Sequence, residues 1–149
     1  MIICDTREKK NQHILDYFRK HGIEYSVLKL DTGDYMDSSR KNLTIDRKRS
    51  LDEICGNLFS PDRSRFWREV RRSKEERIKM IVLIEHGGTI KSLNDVPKWK
   101  SKYSKVSGYS LYNEMCRCHI AYDVEFLFCD KRSTGRRIVE ILRERENRK

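Results

Sequence analysis

The sequence predicts an α/β sandwich with a β-hairpin near its start, and three features carry that expectation. Short apolar runs rich in β-branched residues alternate with segments whose apolar residues recur at helical spacing. The run "IKMIVLIEHGG" is continuously apolar and closed by Gly87 and Gly88, the pattern of a strand buried on both faces. The stretch "YMDSSRKNLTIDRK" sets two strand-like arms about a polar tip.

The elements follow in order. "MIIC" at 1–4 is a first strand and delivers "DTRE" at its end. Asn11 is placed to cap a helix with Ile14, Leu15 and Phe18 on one face, and Gly22 suits its C-terminal end. "IEYSVLKL" predicts a second strand over 23–30, "DTGDY" a turn, and the hairpin follows, its second arm ending in Asp46, Arg47, Lys48 and Arg49. Ser50 with Glu53 has the form of a capping box, so a helix starts there and the charged cluster sits at a strand end. Residues 63–76 are helical in pattern, with Phe66 and Val70 inward and Arg65, Arg68, Arg71 and Arg72 outward. Leu111, Met115, Cys118 and Tyr122 mark another helix, "VEFLFC" a strand, and Ile138, Ile141 and Leu142 a last helix whose stripe suits either the core or self-association. The irregular basic segment "GGTIKSLNDVPKWKSKYSKVSGYS" carries Trp99, Tyr103 and Tyr109, rings that either stack on unpaired bases or pin the segment to the core.

At 149 residues the chain fits one domain, expected over 1–149. Lys and Arg number 33 against 23 acids, a formal net charge of +10, while 37% of residues are hydrophobic. That combination describes a folded basic domain and favours a polyanionic partner, nucleic acid ahead of an acidic membrane because no amphipathic anchor or lipidation motif is visible. The apolar runs Met1 to Cys4 and Met80 to Ile84 are too short for a signal-peptide core or a span. The expected location is intracellular, cytoplasmic in a bacterium or phage and nuclear in a eukaryote. Five irregularly spaced cysteines suit reduced thiols. "CRCHIAYD" crowds Cys116, Cys118 and His119, but a structural zinc site needs a second ligand pair and the sequence offers none, so core thiols and a surface His are the expectation.

The acids then gather. Asp5 and Glu8 follow the first strand, Asp34 follows a glycine at a tight turn, and Asp46 precedes Lys48 by two residues on one strand face. Carboxylates brought together in this way repel unless a hard cation lies between them, and Mg²⁺ favours oxygen ligands, water and phosphate. The set has the parts for metal-assisted phosphodiester hydrolysis: a cation as Lewis acid, water as nucleophile and lysine as electrostatic partner.

At these residues the sequence resembles the nuclease domain of the XPF family of structure-specific endonucleases. "GDY" at 33–35 with "IDRKRSLD" at 45–52 is similar to its GD…ERKxxxD signature, "DTRE" at 5–8 resembles the acidic motif at that domain's start, and the likeness extends through "RSRFWREV" and "IVLIEHGG". The resemblance implies a restriction-endonuclease-like core, a three-layer α/β/α arrangement with a central mixed β-sheet. It also implies Mg²⁺ or Mn²⁺ as cofactor and cleavage of branched, flap or junction DNA in repair or recombination. Asp34 and Asp46 would hold the metal, Asp5 and Glu8 would be acidic partners, Lys48 would act at the scissile phosphate, and Arg47 and Asp52 would support the site. The signature's Glu is Asp46 here, one methylene shorter, the segment between Asp34 and Asp46 is slightly longer than the pattern, and no tandem helix-hairpin-helix domain follows.

The expected activity is therefore that of a metal-dependent DNA endonuclease. Arg7, Arg65, Arg68, Arg72, Lys98, Lys100, Lys102 and Lys105 are the expected DNA contacts, and a homodimer or a paired subunit is the expected assembly. The alternative is a catalytically inactive DNA-binding module partnering an active nuclease subunit. A sequence-specific restriction endonuclease fits less well, since nothing suggests a base-reading insertion.

Overall fold

The apolar runs pair into one six-stranded mixed sheet of order β2-β1-β3-β4-β5-β6. The computed structural model describes residues 1–144. Its strands are β1 (Ile2–Cys4), β2 (Tyr25–Val27), β3 (Tyr35–Asp37), β4 (Arg40–Lys48), β5 (Lys79–Glu85) and β6 (Glu125–Cys129). The hairpin β3–β4 is antiparallel and β3 is antiparallel to β1, while β1–β2, β4–β5 and β5–β6 are parallel. Helices α1 (Gln12–Lys20), α2 (Leu51–Phe59), α3 (Arg63–Glu75), α4 (Gly108–Tyr122) and α5 (Thr134–Glu144) cover its faces.

β5 shows why three layers form. Its side chains alternate, so Met80, Val82 and Ile84 join the core under α2, α3 and α4, and Ile81 and Leu83 join the core under α1 and α5. Both rows are at most 1% exposed, and burying each such side chain is worth roughly 1.5–3 kcal/mol. The architecture is the three-layer α/β/α core with a central mixed sheet that the sequence led us to expect.

Two expectations are corrected and two open alternatives are settled. The second strand is three residues long, not eight, because β2 is an edge strand paired only with β1. Val27 and Leu28 are about half exposed, and the Leu30 N–H leaves the ladder to bond the Asp5 carboxylate at 2.8 Å. Asn11 stands at the start of α1 without a side-chain cap; its Nδ2 donates to the Tyr35 hydroxyl at 3.2 Å. Ile138, Ile141 and Leu142 are buried against α1 and the sheet, so that stripe is core and is not offered for self-association. The basic segment is not a free loop. Ile90, Val96 and Trp99 are buried, a 3₁₀ turn spans Leu93–Lys98, and Lys100 bridges Ser107. Trp99 thus pins the segment, while Tyr103 and Tyr109 stand in solvent.

Cys118 is a core residue of α4, and the exposed His119 bonds the Val124 carbonyl through Nδ1 at 2.8 Å. Among the described residues no helix is long and apolar enough to cross a membrane.

Candidate active site at the end of the hairpin

A strand's period of two divides the end of β4 between the layers: Thr44, Asp46 and Lys48 share one face, and Leu43, Ile45 and Arg47 the other. Gly33 brings Asp34 to the first of these faces. Its φ of +75° lies in the left-handed region, and a Cβ there would collide with Thr44 Oγ1, so no other residue fits this turn without strain. Asp34 is then held by backbone bonds: its N–H donates to Ile45 O at 2.7 Å, its carbonyl accepts from Asp5 N at 2.8 Å, and its Oδ2 accepts from Arg47 N at 2.8 Å.

This fixes two carboxyls against each other. Burial, then the charge of Asp46 and a hydrogen bond with it, push the Asp34 carboxyl well above the ordinary range, to about 9. Asp46 is only 6% exposed and its buried Oδ2 has no hydrogen-bond partner. Lys48 Nζ lies 3.2 Å from that oxygen, an ion pair that balances the Asp46 charge. Burial alone would lower the Lys48 ammonium; the charges of Asp46, Glu53 and Asp34 and a hydrogen bond with Asp46 together outweigh it, and the net shift is upward. The ammonium also sits 5.5 Å above the Phe66 ring of α3. A polar cavity of about 220 Å³ opens here, lined by Arg7, Glu8, Lys9, Asp34, Asp46 and Lys48 among others.

Two contacting carboxyls with an orphaned oxygen need a shared proton or a cation. Mg²⁺ is commonly held by one or two carboxylates, completed by water and substrate phosphate, and Asp34 with Asp46 supplies that number. Among the described residues no group of three or more His, Cys, Asp or Glu side chains is arranged to hold a metal.

The opposite face is a closed ionic network. Arg47 donates to Glu8 Oε2 at 2.8 Å and Oε1 at 3.1 Å, to the Lys9 carbonyl at 2.6 Å, and to Glu85 Oε1 at 2.5 Å. Glu85 Oε2 accepts from the Thr134 hydroxyl at 2.6 Å and faces His13 Nε2 at 2.6 Å, and Glu8 also accepts from the Tyr35 hydroxyl at 2.6 Å. Burial by itself would raise Glu85, but the bonds from Thr134 and His13 and the Arg47 charge hold it below the usual carboxylate range.

The predicted residues divide accordingly. Asp34, Asp46, Lys48 and Glu8 meet at the cavity, and Arg47 contributes its backbone there while its guanidinium packs behind. Asp5 is turned away: its carboxylate accepts from Leu30 N, Arg7 N and Arg7 Nε, bonds that outweigh burial and hold it below its ordinary range. Asp52 stands across Lys48 in a groove between α2 and α3 and accepts from Ser101 Oγ at 2.8 Å, tying the basic segment to α2. Arg7 and Arg65 border the cavity and that groove. Lys98, Lys100, Lys102 and Lys105 are exposed on the segment anchored through Ser101, and Lys98 pairs with Asp95. Arg68 is exposed on α3. Arg72 is engaged within the fold, bonding the Asp31 carbonyl and Thr32 Oγ1 and pairing with Glu76.

A family model for the ERCC4 domain matches residues 4–141. The chain belongs to the ERCC4 domain family. No curated protein matches the sequence. Among solved structures the fold is similar to XPF from Aeropyrum pernix, with a TM-score of 0.74 at 18% identity over 99% of this chain and 65% of that one. The same protein in complex with DNA gives 0.72 at 18% identity over 99% and 66%. The chain therefore spans just under two-thirds of the length of the proteins it matches.

Two side chains of this ERCC4 domain escaped sequence reasoning. Glu69 follows Phe66 by one helical turn on the inward side of α3, where burial and then the Asp46 charge raise its carboxyl against the opposing pull of Lys48, the Gly33 N–H and Arg7. Only its spacing from Phe66 pointed to it. Glu85 ends the apolar run of β5, and an acid closing so buried a strand was the available signal.

Proposed function

We propose that the chain is a metal-dependent endonuclease that hydrolyses phosphodiester bonds in branched, flap or junction DNA. The observation that carries this reading is the buried Asp34–Asp46 contact with its orphaned Oδ2, beside a charged Lys48, in an open polar cavity of a strongly basic ERCC4 domain. Membership of the family supports it, as does the likeness to an XPF whose structure includes DNA.

Asp34 and Asp46 would hold Mg²⁺ or Mn²⁺, which when bound supplies Lewis-acid stabilisation of charge developing on phosphate oxygens. Lys48, fixed by Asp46 and the Phe66 ring, faces the scissile phosphate and offsets its negative charge as the bond breaks. Arg47 positions rather than reacts: its N–H orients Asp34 while its guanidinium locks the strand end to Glu8 and Glu85. Glu69 adds negative charge on the far side of Asp46.

The test is incubation of purified protein with end-labelled flap, splayed-arm and four-way substrates, with Mg²⁺ or with EDTA. Cleavage near the branch point that needs the cation is the expected result. Tight binding without cleavage in Mg²⁺ or Mn²⁺ would overturn it in favour of a DNA-binding module that partners an active subunit.

A further inference from the structure

A second feature lies on the outer side of α3. Trp67 and Tyr122 stand 6.0 Å apart with their rings inclined by 56°, and with Arg68, Arg71 and Arg117 they line a groove of about 450 Å³ between α3 and α4. That volume falls within the roughly 300–1,000 Å³ typical of ligand sites. The groove combines aromatic and cationic side chains. Both rings are only partly buried, and the Arg117 guanidinium lies 6.0 Å over the Trp67 ring. Arg117 pairs with Glu114 at 2.6 Å, whereas among the described residues no acid pairs with Arg68 or Arg71. Two unneutralised guanidiniums thus flank an aromatic floor.

From this groove we infer that Trp67, Tyr122, Arg68 and Arg71 bind unpaired nucleotides of a DNA strand, an inference that rests on the nucleic-acid reading above. Bases present flat apolar faces and the backbone presents one charge per nucleotide. An aromatic floor between free arginines matches both, while duplex DNA hides those faces in its stack. An acidic peptide would use the arginines and leave the rings idle. The groove is joined to the candidate active site through α3: Lys48 Nζ lies over Phe66, whose ring is 6.4 Å from that of Trp67. On this inference the groove takes the single-stranded arm of a branched substrate whose scissile bond lies at the hairpin end.

The experiment measures binding of a short oligothymidine and of a duplex of equal length in EDTA, by intrinsic tryptophan fluorescence and by anisotropy of a labelled strand. Trp99 is buried, so quenching by the single strand reports Trp67. Expected are quenching with oligothymidine, its loss in Trp67→Phe at near-normal affinity, and roughly tenfold weaker single-strand binding in Trp67→Ala. Arg68→Ala with Arg71→Ala, which leaves the aromatic packing intact, should reduce the slope of log K against log salt by about 1.4 on the single strand. Absence of quenching, or equal loss of duplex and single-strand affinity in the arginine double variant, would overturn the inference. The measurement needs no cleavage: quenching in a chain that cuts nothing removes only the endonuclease reading, and cleavage without quenching removes only the groove.

Discussion

The two faces of β4's last residues are built from the same kinds of side chain and have opposite characters. Behind the strand, Arg47 lies among Glu8, Glu85, His13, Thr134 and the Lys9 carbonyl, and each charge meets a partner at hydrogen-bonding distance. In front, Asp34, Asp46 and Glu69 gather about Lys48 with Arg7 at the rim, and burial and the Asp46 charge raise both the Asp34 and the Glu69 carboxyls. A satisfied network fixes geometry; an unsatisfied one stores affinity for whatever completes it. Such a difference, across the width of one strand, is what separates scaffold from candidate site.

The comparison breaks most visibly at Asp46. Asp46→Asn keeps the shape of the front face but removes a charge that the proposed function assigns to the metal. Cleavage of a flap substrate in Mg²⁺ should fall about a thousandfold or more, roughly 4 kcal/mol of barrier, with DNA binding retained. Near wild-type cutting by that variant would make the front face a structural turn. The corresponding change behind the strand should act on stability. Arg47→Ala leaves Glu8 and Glu85 buried without their cation and should cost about 3–5 kcal/mol in urea unfolding. An effect below 1 kcal/mol would show that water replaces the guanidinium and that the rear network is not the scaffold argued for.

Lys48→Ala sharpens the division within the front face. Turnover should drop about a hundredfold, while calorimetric Mg²⁺ affinity changes little, if the lysine serves the phosphate as proposed and not the ion. A parallel loss of metal affinity would contradict that role. The smallest effect is on pH dependence. Asp34 titrates near 3.8 in an unfolded chain and at about 9 here, so between those values the folded state holds the extra proton. Stability in EDTA should then be greatest below pH 4 as far as this group is concerned, and should fall as pH rises toward 9. Asp34→Asn should flatten that fall and raise the melting temperature at pH 8 by a few degrees, and saturating Mg²⁺ should do the same for the unaltered chain. A wild-type profile already flat from pH 5 to 8 would mean that Asp34 is neither buried nor held against Asp46 in solution.

Legibility from sequence followed the range of the interactions. The period of two that puts Asp46 and Lys48 on one face is local, as is the Ser50 hydroxyl accepting from Glu53 N at 3.1 Å, and both were readable. The continuous run of β5 announced burial on both sides. Where a partner lies far along the chain, local pattern could not show it. Asp5 looked like a member of the acidic set until Leu30, 25 residues away, took its carboxylate. Glu69 was one acid among many on a charged helix, and only the docking of α3 against β4 gives it neighbours. Ile138, Ile141 and Leu142 form a stripe that periodicity cannot assign to core or interface, and α1 and the sheet assign it.

The tight hairpin that joins Asp34 to Asp46 also bears on how the chain folds. The two acids are separated in sequence by the hairpin itself and meet through its one antiparallel pairing, whereas Arg47 must wait for β5 and α5 to bring Glu85 and Thr134. Hairpins close in about 1–10 μs, well before distant contacts form, so the like charges confront each other early and the rear network locks late. Removing that repulsion speeds a step that comes before global packing. Refolding from urea should therefore quicken with Asp34→Asn while the unfolding rate hardly moves, the signature of a contact already made at the folding transition state.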